Sequence, residues 1–199
     1  MPRPKRTPGE IRQMRERILD ATIDLLEENG IHGLSIRKIA RRTGVSHMVL
    51  YNYFENREAL FASLRDRQMA RIQSHQTAAL QRARDNDART VLEEALRFYI
   101  DLGHDKPRLF RLLLLHPVGE KQVEQINWGL DYLTGLIELC IEQGDCAARD
   151  PRAAALAVFC MVNGPLLLYH SGRLQDKELL RQAEEETLQA TLSYLTECR

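Results

Sequence analysis

Apolar residues along the 199-residue chain recur at spacings of three and four, in runs broken by Gly, Pro and Asn-Gly. That period is helical, and alternation at period two, the mark of a half-buried strand, is missing. Leu occurs 30 times against 11 Ile and 7 Val, which favours the same reading. The pattern predicts an all-α protein of about nine or ten helices. The first is expected from about Ile11 to Glu28, with Ile18, Thr22, Leu25 and Leu26 on one face and Gly30 as its stop. Ser35 N-caps a short helix to about Arg42, ending at Gly44, and Ser46 caps the next, to about Phe54. Asn56 caps a long fourth helix from Arg57 to about Arg84. Further helices are expected over 88–103, 107–115, 119–143, 151–171 and 176–197. Pro107 and Pro151 fall at first-turn positions, and Pro165 is expected to kink its helix.

Three regions follow. Residues 1–10 hold Pro2, Pro4 and Pro8 among Arg3, Lys5 and Arg6, and read as a flexible basic arm. Residues 11–56 form a small three-helix domain, and 57–199 a larger helical one. The long fourth helix joins them in place of a flexible linker.

The informative stretch is Gly33 to Leu64. A helix, a tight turn at Thr43-Gly44-Val45 and a second short helix have the spacing of a helix-turn-helix, whose second helix enters the DNA major groove. At 100° per residue, His47, Met48, Tyr51, Asn52 and Glu55 fall on one mixed face able to hydrogen-bond. Val49, Leu50, Tyr53 and Phe54 fall on the other, mainly apolar face, which is expected to pack on the first two helices.

Charge changes the picture. The chain has 28 basic and 28 acidic residues and no net charge, yet residues 1–47 sum to +4 and 48–199 to −4. Arg37, Lys38, Arg41 and Arg42 cluster just before the turn, where phosphate attraction needs them. Other chemistry finds no carrier. The six histidines show no H-x-x-x-H spacing, so no metal site is expected. No nucleophile elbow, P-loop or dinucleotide signature occurs, so no cofactor and no catalysis are expected. The four cysteines form no C-x-x-C pair and read as buried, reduced thiols. The N-terminal segment lacks the apolar core of a signal peptide. The longest apolar stretch, Ala153 to Tyr169, reads as short for a membrane span. A cytoplasmic protein with no membrane partner is expected.

Residues 12–64 resemble the N-terminal DNA-binding domain of the TetR family of transcriptional regulators. The resemblance rests on Ile18, Ala21, Leu25-Leu26 and Gly30; on Gly33-Leu34-Ser35-Ile36-Arg37-Lys38-Ile39-Ala40; on Thr43-Gly44-Val45-Ser46; and on Leu50-Tyr51-Asn52-Tyr53-Phe54 followed by Arg57-Glu58-Ala59-Leu60. It implies that Arg37 reaches a base or phosphate, that His47, Met48 and Val49 read base edges or nearby phosphates, and that Tyr51 and Tyr53 contact phosphate. Arg57 stands where a Lys is usual, at a helix start that favours phosphate. Val49 replaces a common Thr and Tyr53 a common His, so contact at Val49 must be apolar. Ser35, Lys38, Arg42, Thr43, Ser46 and Asn52 complete the expected DNA-binding set.

The resemblance also implies a ligand pocket in the larger domain, for which Phe98, His104, Phe110, His116, Trp128, Tyr132, Phe159 and Asn163 are the candidates, with Tyr99, Leu113 and Tyr169 beside them. The last two helices carry more apolar surface than one domain can bury. Leu156, Leu180, Ala183, Thr187, Ala190 and Tyr194 are therefore expected to face a second copy across a four-helix bundle. The function expected is a homodimeric repressor released from a pseudo-palindromic double-stranded DNA operator by a largely apolar small molecule. The alternatives are an activator of the same family, or a helical ligand-binding or interaction module that no longer binds DNA.

Overall fold

The computed structural model describes the backbone of residues 7–85, 87–115, 120–147 and 150–197. Nine α-helices and no strand occur among them: α1 (Pro8–Gly33), α2 (Ile36–Thr43), α3 (His47–Tyr51), α4 (Arg57–Asp85), α5 (Ala88–Asp105), α6 (Pro107–Phe110), α7 (Glu120–Glu142), α8 (Pro151–His170) and α9 (Lys177–Glu197). A π-helical turn over Arg111–Leu115 extends α6. Arg3, Lys5, Arg6, His116 and Cys198 lie outside the described residues.

The chain divides into two compact units. The first holds α1, α2, α3, the start of α4 as far as Arg71, and Arg108–Leu113. α1 begins earlier than the proline pattern suggested. Thr7 and Glu10 form a capping box in which the Glu10 amide donates to Thr7 Oγ1 at 3.3 Å and the Thr7 amide to Glu10 Oε2 at 2.7 Å. Pro8 then takes the first helical position, so Pro8–Glu10 are helix rather than arm. At Gly30 (φ 70°) the axis kinks, and one further turn follows.

Ser35 and Ser46 cap α2 and α3, accepting from the Lys38 amide at 3.3 Å and the Val49 amide at 3.2 Å. Gly44, at φ 72°, reverses the chain between them. α3 stops at Tyr51, three residues short of the expected end. Tight turns from Asn52 N–H to Val49 (3.2 Å) and Tyr53 N–H to Leu50 (2.9 Å) swing Tyr53 and Phe54 into the core with Ile18, Leu26, Ile39 and Leu50.

The boundary falls inside the joining helix α4, after Arg71 rather than at the helix start. Leu60 and Leu64 are wholly buried, and Arg67 Nη1 reaches Glu16 Oε2 at 2.9 Å and Asp20 Oδ1 at 2.8 Å. The first four turns of α4 thus pack with the first unit. The segment 108–113 joins that unit through the Glu27 carboxylate, which accepts the amides of Leu109 at 2.7 Å and Arg108 at 3.3 Å. Periodicity alone could not show this, because α6 sits far along the chain.

The second unit is built from the rest of α4, α5, α7, α8 and α9. Its core gathers Leu92 and Leu96 with Leu136 and Ile137, Val158 and Val162, and Leu188, Leu192 and Leu195. Ala154 and Ala155 are small enough to let α8 lie close to its neighbours. Asp87 and Asp150 cap α5 and α8, each accepting two backbone amides. α8 runs through Pro165, helical on both sides of it, from Pro151 to His170. It is longer than the apolar stretch that predicted it. Among the described residues it is the one helix long and apolar enough to cross a membrane by length and composition, with a mean hydropathy of 1.6 over its apolar window. One face, Ala154, Val158, Val162 and Leu166, lies buried in this unit.

Candidate nucleic-acid interface

The first unit sorts its side chains as the helical wheel requires. His47, Met48, Tyr51 and Asn52 are exposed, Met48 at 64 % and Tyr51 at 43 %, while Leu50 and Phe54 are buried and Val49 half-buried. An exposed Met and Tyr side by side on a helix of one and a half turns gain nothing from folding, which is what a surface kept for a partner looks like. On α2, Arg37 and Arg41 share one exposed face, and their side chains carry no ion pair or hydrogen bond to other described residues.

Other expected members are already engaged. Lys38 Nζ donates to the Gly33 carbonyl at 2.7 Å. Arg42 pairs with Glu28 at 2.7 Å, which lowers the carboxyl's pKa, chiefly through that hydrogen bond. Arg57 donates to the Ile31 carbonyl at 2.8 Å and lies over the Phe61 ring. Thr43 and Tyr53 do not lie on the exposed face. Thr43 is buried and returns its hydroxyl to the Ile39 carbonyl at 2.9 Å. Tyr53 is 8 % exposed, packed into the core by the turn that ends α3. Ser35 and Ser46 are exposed and serve as caps.

Arg15 plays a part that its sequence position concealed. Its guanidinium donates to the Tyr53 carbonyl, sits 4.4 Å from the Phe54 ring centroid and reaches Ser63 Oγ at 3.4 Å. It ties α1 to the end of α3 and so fixes the exposed helix. In the sequence it counts only as one more positive charge.

In the second unit, a cavity of about 640 Å³ opens among α5, α8 and α9. Its walls combine Ile100, Tyr169, Leu180 and Leu188 with Arg97, Asp101, His104, Lys177, Arg181, Glu184 and Glu185. His104 Nε2 lies 2.9 Å from both oxygens of the buried Glu184 carboxylate. Of the expected pocket residues that are described, His104 and Tyr169 line it. Phe110 is wholly buried and belongs to the first unit. Phe98 is exposed and stacks on His75 at 4.7 Å, and Trp128 is also exposed. Asn163 has both ends of its amide bound: it donates to the Phe159 carbonyl at 2.8 Å and accepts from the Tyr99 hydroxyl at 2.8 Å. Burial pushes the Tyr132 hydroxyl up to about 12.

The expected interface residues divide too. Leu156 is 52 % exposed and Ala190 exposed, Ala183, Thr187 and Tyr194 are half-buried, and Leu180 is buried within its own unit. Along α8, Ala153, Leu156, Cys160, Gly164, Leu167 and Leu168 are exposed together, a stripe that includes the expected Leu156.

Residues 18–64 match the family model of the bacterial regulatory proteins, tetR family. The class A tetracycline repressor protein from transposon 1721 of Escherichia coli is 39 % identical over 75 residues, covering 38 % of this chain and 33 % of that protein. The regulator RutR of Escherichia coli K12 is 25 % identical over 142 residues, covering 68 % of this chain and 65 % of RutR. The chain thus spans about a third of the length of the first of these relatives. Similarity over the whole fold extends further: the transcriptional regulator FadR of Bacillus subtilis, solved with stearoyl-CoA, superposes with a TM-score of 0.68 at 22 % identity, over 92 % of this chain and 98 % of that one. The helix-turn-helix segment, residues 18–64, is thus matched in sequence to the tetR family of bacterial regulatory proteins, and the all-helical fold is matched along nearly the full chain.

Proposed function

We propose that this chain is a homodimeric transcriptional repressor that reads a pseudo-palindromic DNA operator and is released by a small molecule. The observation that carries the reading is the exposed α3 face, His47, Met48, Tyr51 and Asn52, beside the unpaired Arg37 and Arg41 of α2. α3 enters the major groove, where Met48 supplies apolar contact and His47 and Asn52 supply hydrogen bonds to base edges. Arg37, Arg41 and Tyr51 hold phosphates and set the register.

The dimer forms through the apolar stripe on α8 with α9 beside it. Two-fold symmetry then places the two recognition helices about 34–36 Å apart, one turn of DNA. The effector binds in the second unit, in which the cavity of about 640 Å³ has the volume of a small-molecule site. Its mixed lining favours an apolar body carrying a polar end. Effector binding favours a spacing of the two reading heads that no longer fits the operator. The protein acts in the cytoplasm and catalyses no reaction.

The test is a fluorescence-anisotropy titration against a DNA fragment from beside the protein's own gene. Arg37→Ala combined with Tyr51→Ala is expected to weaken binding by roughly a hundredfold, from ~1–2 kcal/mol per contact. Unchanged affinity would overturn the assignment.

A further inference from the structure

Two of the cysteines, which the sequence reads as inert buried thiols, meet in the second unit. Cys140 lies in the last turn of α7, and Cys146 lies just beyond that helix's end. The reversal between them is made by Gly144 at φ 85°, a conformation that glycine adopts without strain. The amides of Asp145 and Cys146 both donate to the Cys140 carbonyl, at 2.9 and 3.2 Å. With standard bond lengths, the second of these holds the two Cα atoms within about 7 Å, at the edge of the span that a disulfide bridges. The two thiols also interact, a hydrogen bond between them being the leading cause of opposite shifts in their pKa values, Cys140 up and Cys146 down. Both belong to one buried cluster, in which Cys140 is wholly enclosed and Cys146 keeps 9 % of its surface exposed.

We propose that Cys140 and Cys146 are a reversible oxidation site, closed to an intramolecular disulfide by peroxides. The roles are unequal. The hydrogen bond from Cys140 holds the Cys146 thiol below its ordinary range, and the Arg89 charge adds to this. Donating that bond, with burial, holds Cys140 above it. Cys146, the less enclosed of the two and closer to thiolate, is attacked first. Its sulfur takes one peroxide oxygen as the O–O bond breaks, giving a sulfenic acid and releasing hydroxide. The Cys140 sulfur then displaces that hydroxyl, forming the S–S bond, and its proton leaves with the hydroxyl as water. Counting the proton shed by Cys146, two thiols and one peroxide give one disulfide and two waters.

The site is placed to be felt. Gln143, one residue before the reversal, donates to the Ala83 carbonyl and accepts from the Ala88 amide, both at 2.8 Å. The Ala147 amide donates to the Leu195 carbonyl at 2.9 Å. Closing the pair therefore acts where the ends of α4, α5, α7 and α9 are tied together.

The experiment uses the full chain in a Cys160→Ala background, which removes the exposed thiol that could cross-link two copies. After hydrogen peroxide treatment, the tryptic peptide 122–149, which holds both cysteines, is expected to be lighter by two hydrogens and to resist alkylation. Cleavage after Glu142 should leave its two halves joined until dithiothreitol parts them. Cys140→Ser should stop at the sulfenic acid on Cys146, trapped by a cyclic 1,3-diketone. Should that variant fail to fold, Cys140→Ala serves the same purpose. Two results would overturn the proposal. In one, both thiols stay alkylatable at a peroxide dose that oxidises Cys160 in the unmodified chain. In the other, Cys146 goes on to sulfinic acid without a disulfide.

Discussion

The two units solve the packing problem at different scales. In the first, α2 and α3 are eight and five residues long, and each starts from a serine cap. In the second, α5, α7, α8 and α9 run 18, 23, 20 and 21 residues and pack along broad apolar faces. A helix of five residues cannot stand on its own hydrogen bonds. Every position in α3 is therefore either a cap, a core contact or a surface residue, with no slack between these roles. The long helices have slack: many apolar side chains can exchange places as long as volume is kept. A short element constrains its sequence tightly, and a long one leaves room for a pocket to change.

The sharpest test of the division is Phe110→Ala. Phe110 is wholly buried, and it lies in the segment 108–113 that joins the first unit from far along the chain. The substitution is expected to cost ~3–5 kcal/mol. Hydrogen exchange should quicken in α1 and the start of α4, leaving α7 and α8 protected. Loss of protection confined to the second unit would break the division.

A comparison of two tyrosines separates the reading surface from its support. Tyr53→Ala removes a ring that is 8 % exposed and should cost ~3 kcal/mol of stability. Tyr51→Ala removes one that is 43 % exposed; it should leave the denaturation midpoint nearly unchanged while weakening operator binding by about tenfold. Equal stability losses for the two would show that Tyr51 is also structural.

This contrast marks what could be read from the sequence. Ser35, Gly44 and Ser46 announced their helix ends because caps and reversals need those residue types. The wheel separated Met48 and Tyr51 from Leu50 and Phe54 for the same reason. The premature end of α3 was hidden, since it depends on the core drawing in Tyr53 and Phe54. The engagement of Lys38 and Arg57 with backbone carbonyls was hidden too, because their partners Gly33 and Ile31 carry no side-chain signal. In the second unit an aromatic or polar residue at helical spacing looks alike in a core, a cavity or a surface. Hence Phe98 proved exposed, Phe110 proved part of the other unit, and His104 and Tyr169 reached the cavity. The Cys140–Cys146 contact was invisible because it depends on a chain reversal at Gly144.

A smaller effect tests the turn itself. Gly44 at φ 72° has open space where a Cβ would stand, so Gly44→Ala meets strain in the backbone alone. The expected cost is ~1–2 kcal/mol, measured by urea denaturation. Ser46→Ala should cost ~1 kcal/mol through loss of the cap on α3. Should Gly44→Ala prove neutral, the reversal would have to tolerate another backbone conformation, and the tight spacing of α2 and α3 would no longer explain the glycine.

The smallest effect concerns the cations that the first unit keeps for itself. Among the described residues Arg37 and Arg41 have no ion pair, whereas Arg42 is held by Glu28 on an exposed face. A phosphate approaching Arg42 has to displace that carboxylate, and Glu28 also adds repulsion of its own. Glu28→Gln removes the charge and keeps the shape. It should tighten DNA binding a few-fold and steepen its dependence on salt by about one phosphate contact. The paired substitution Arg42→Gln should abolish both effects. If Glu28→Gln leaves affinity and salt slope unchanged, Arg42 stays clear of the DNA, and the phosphate-binding edge of the reading head is confined to Arg37 and Arg41.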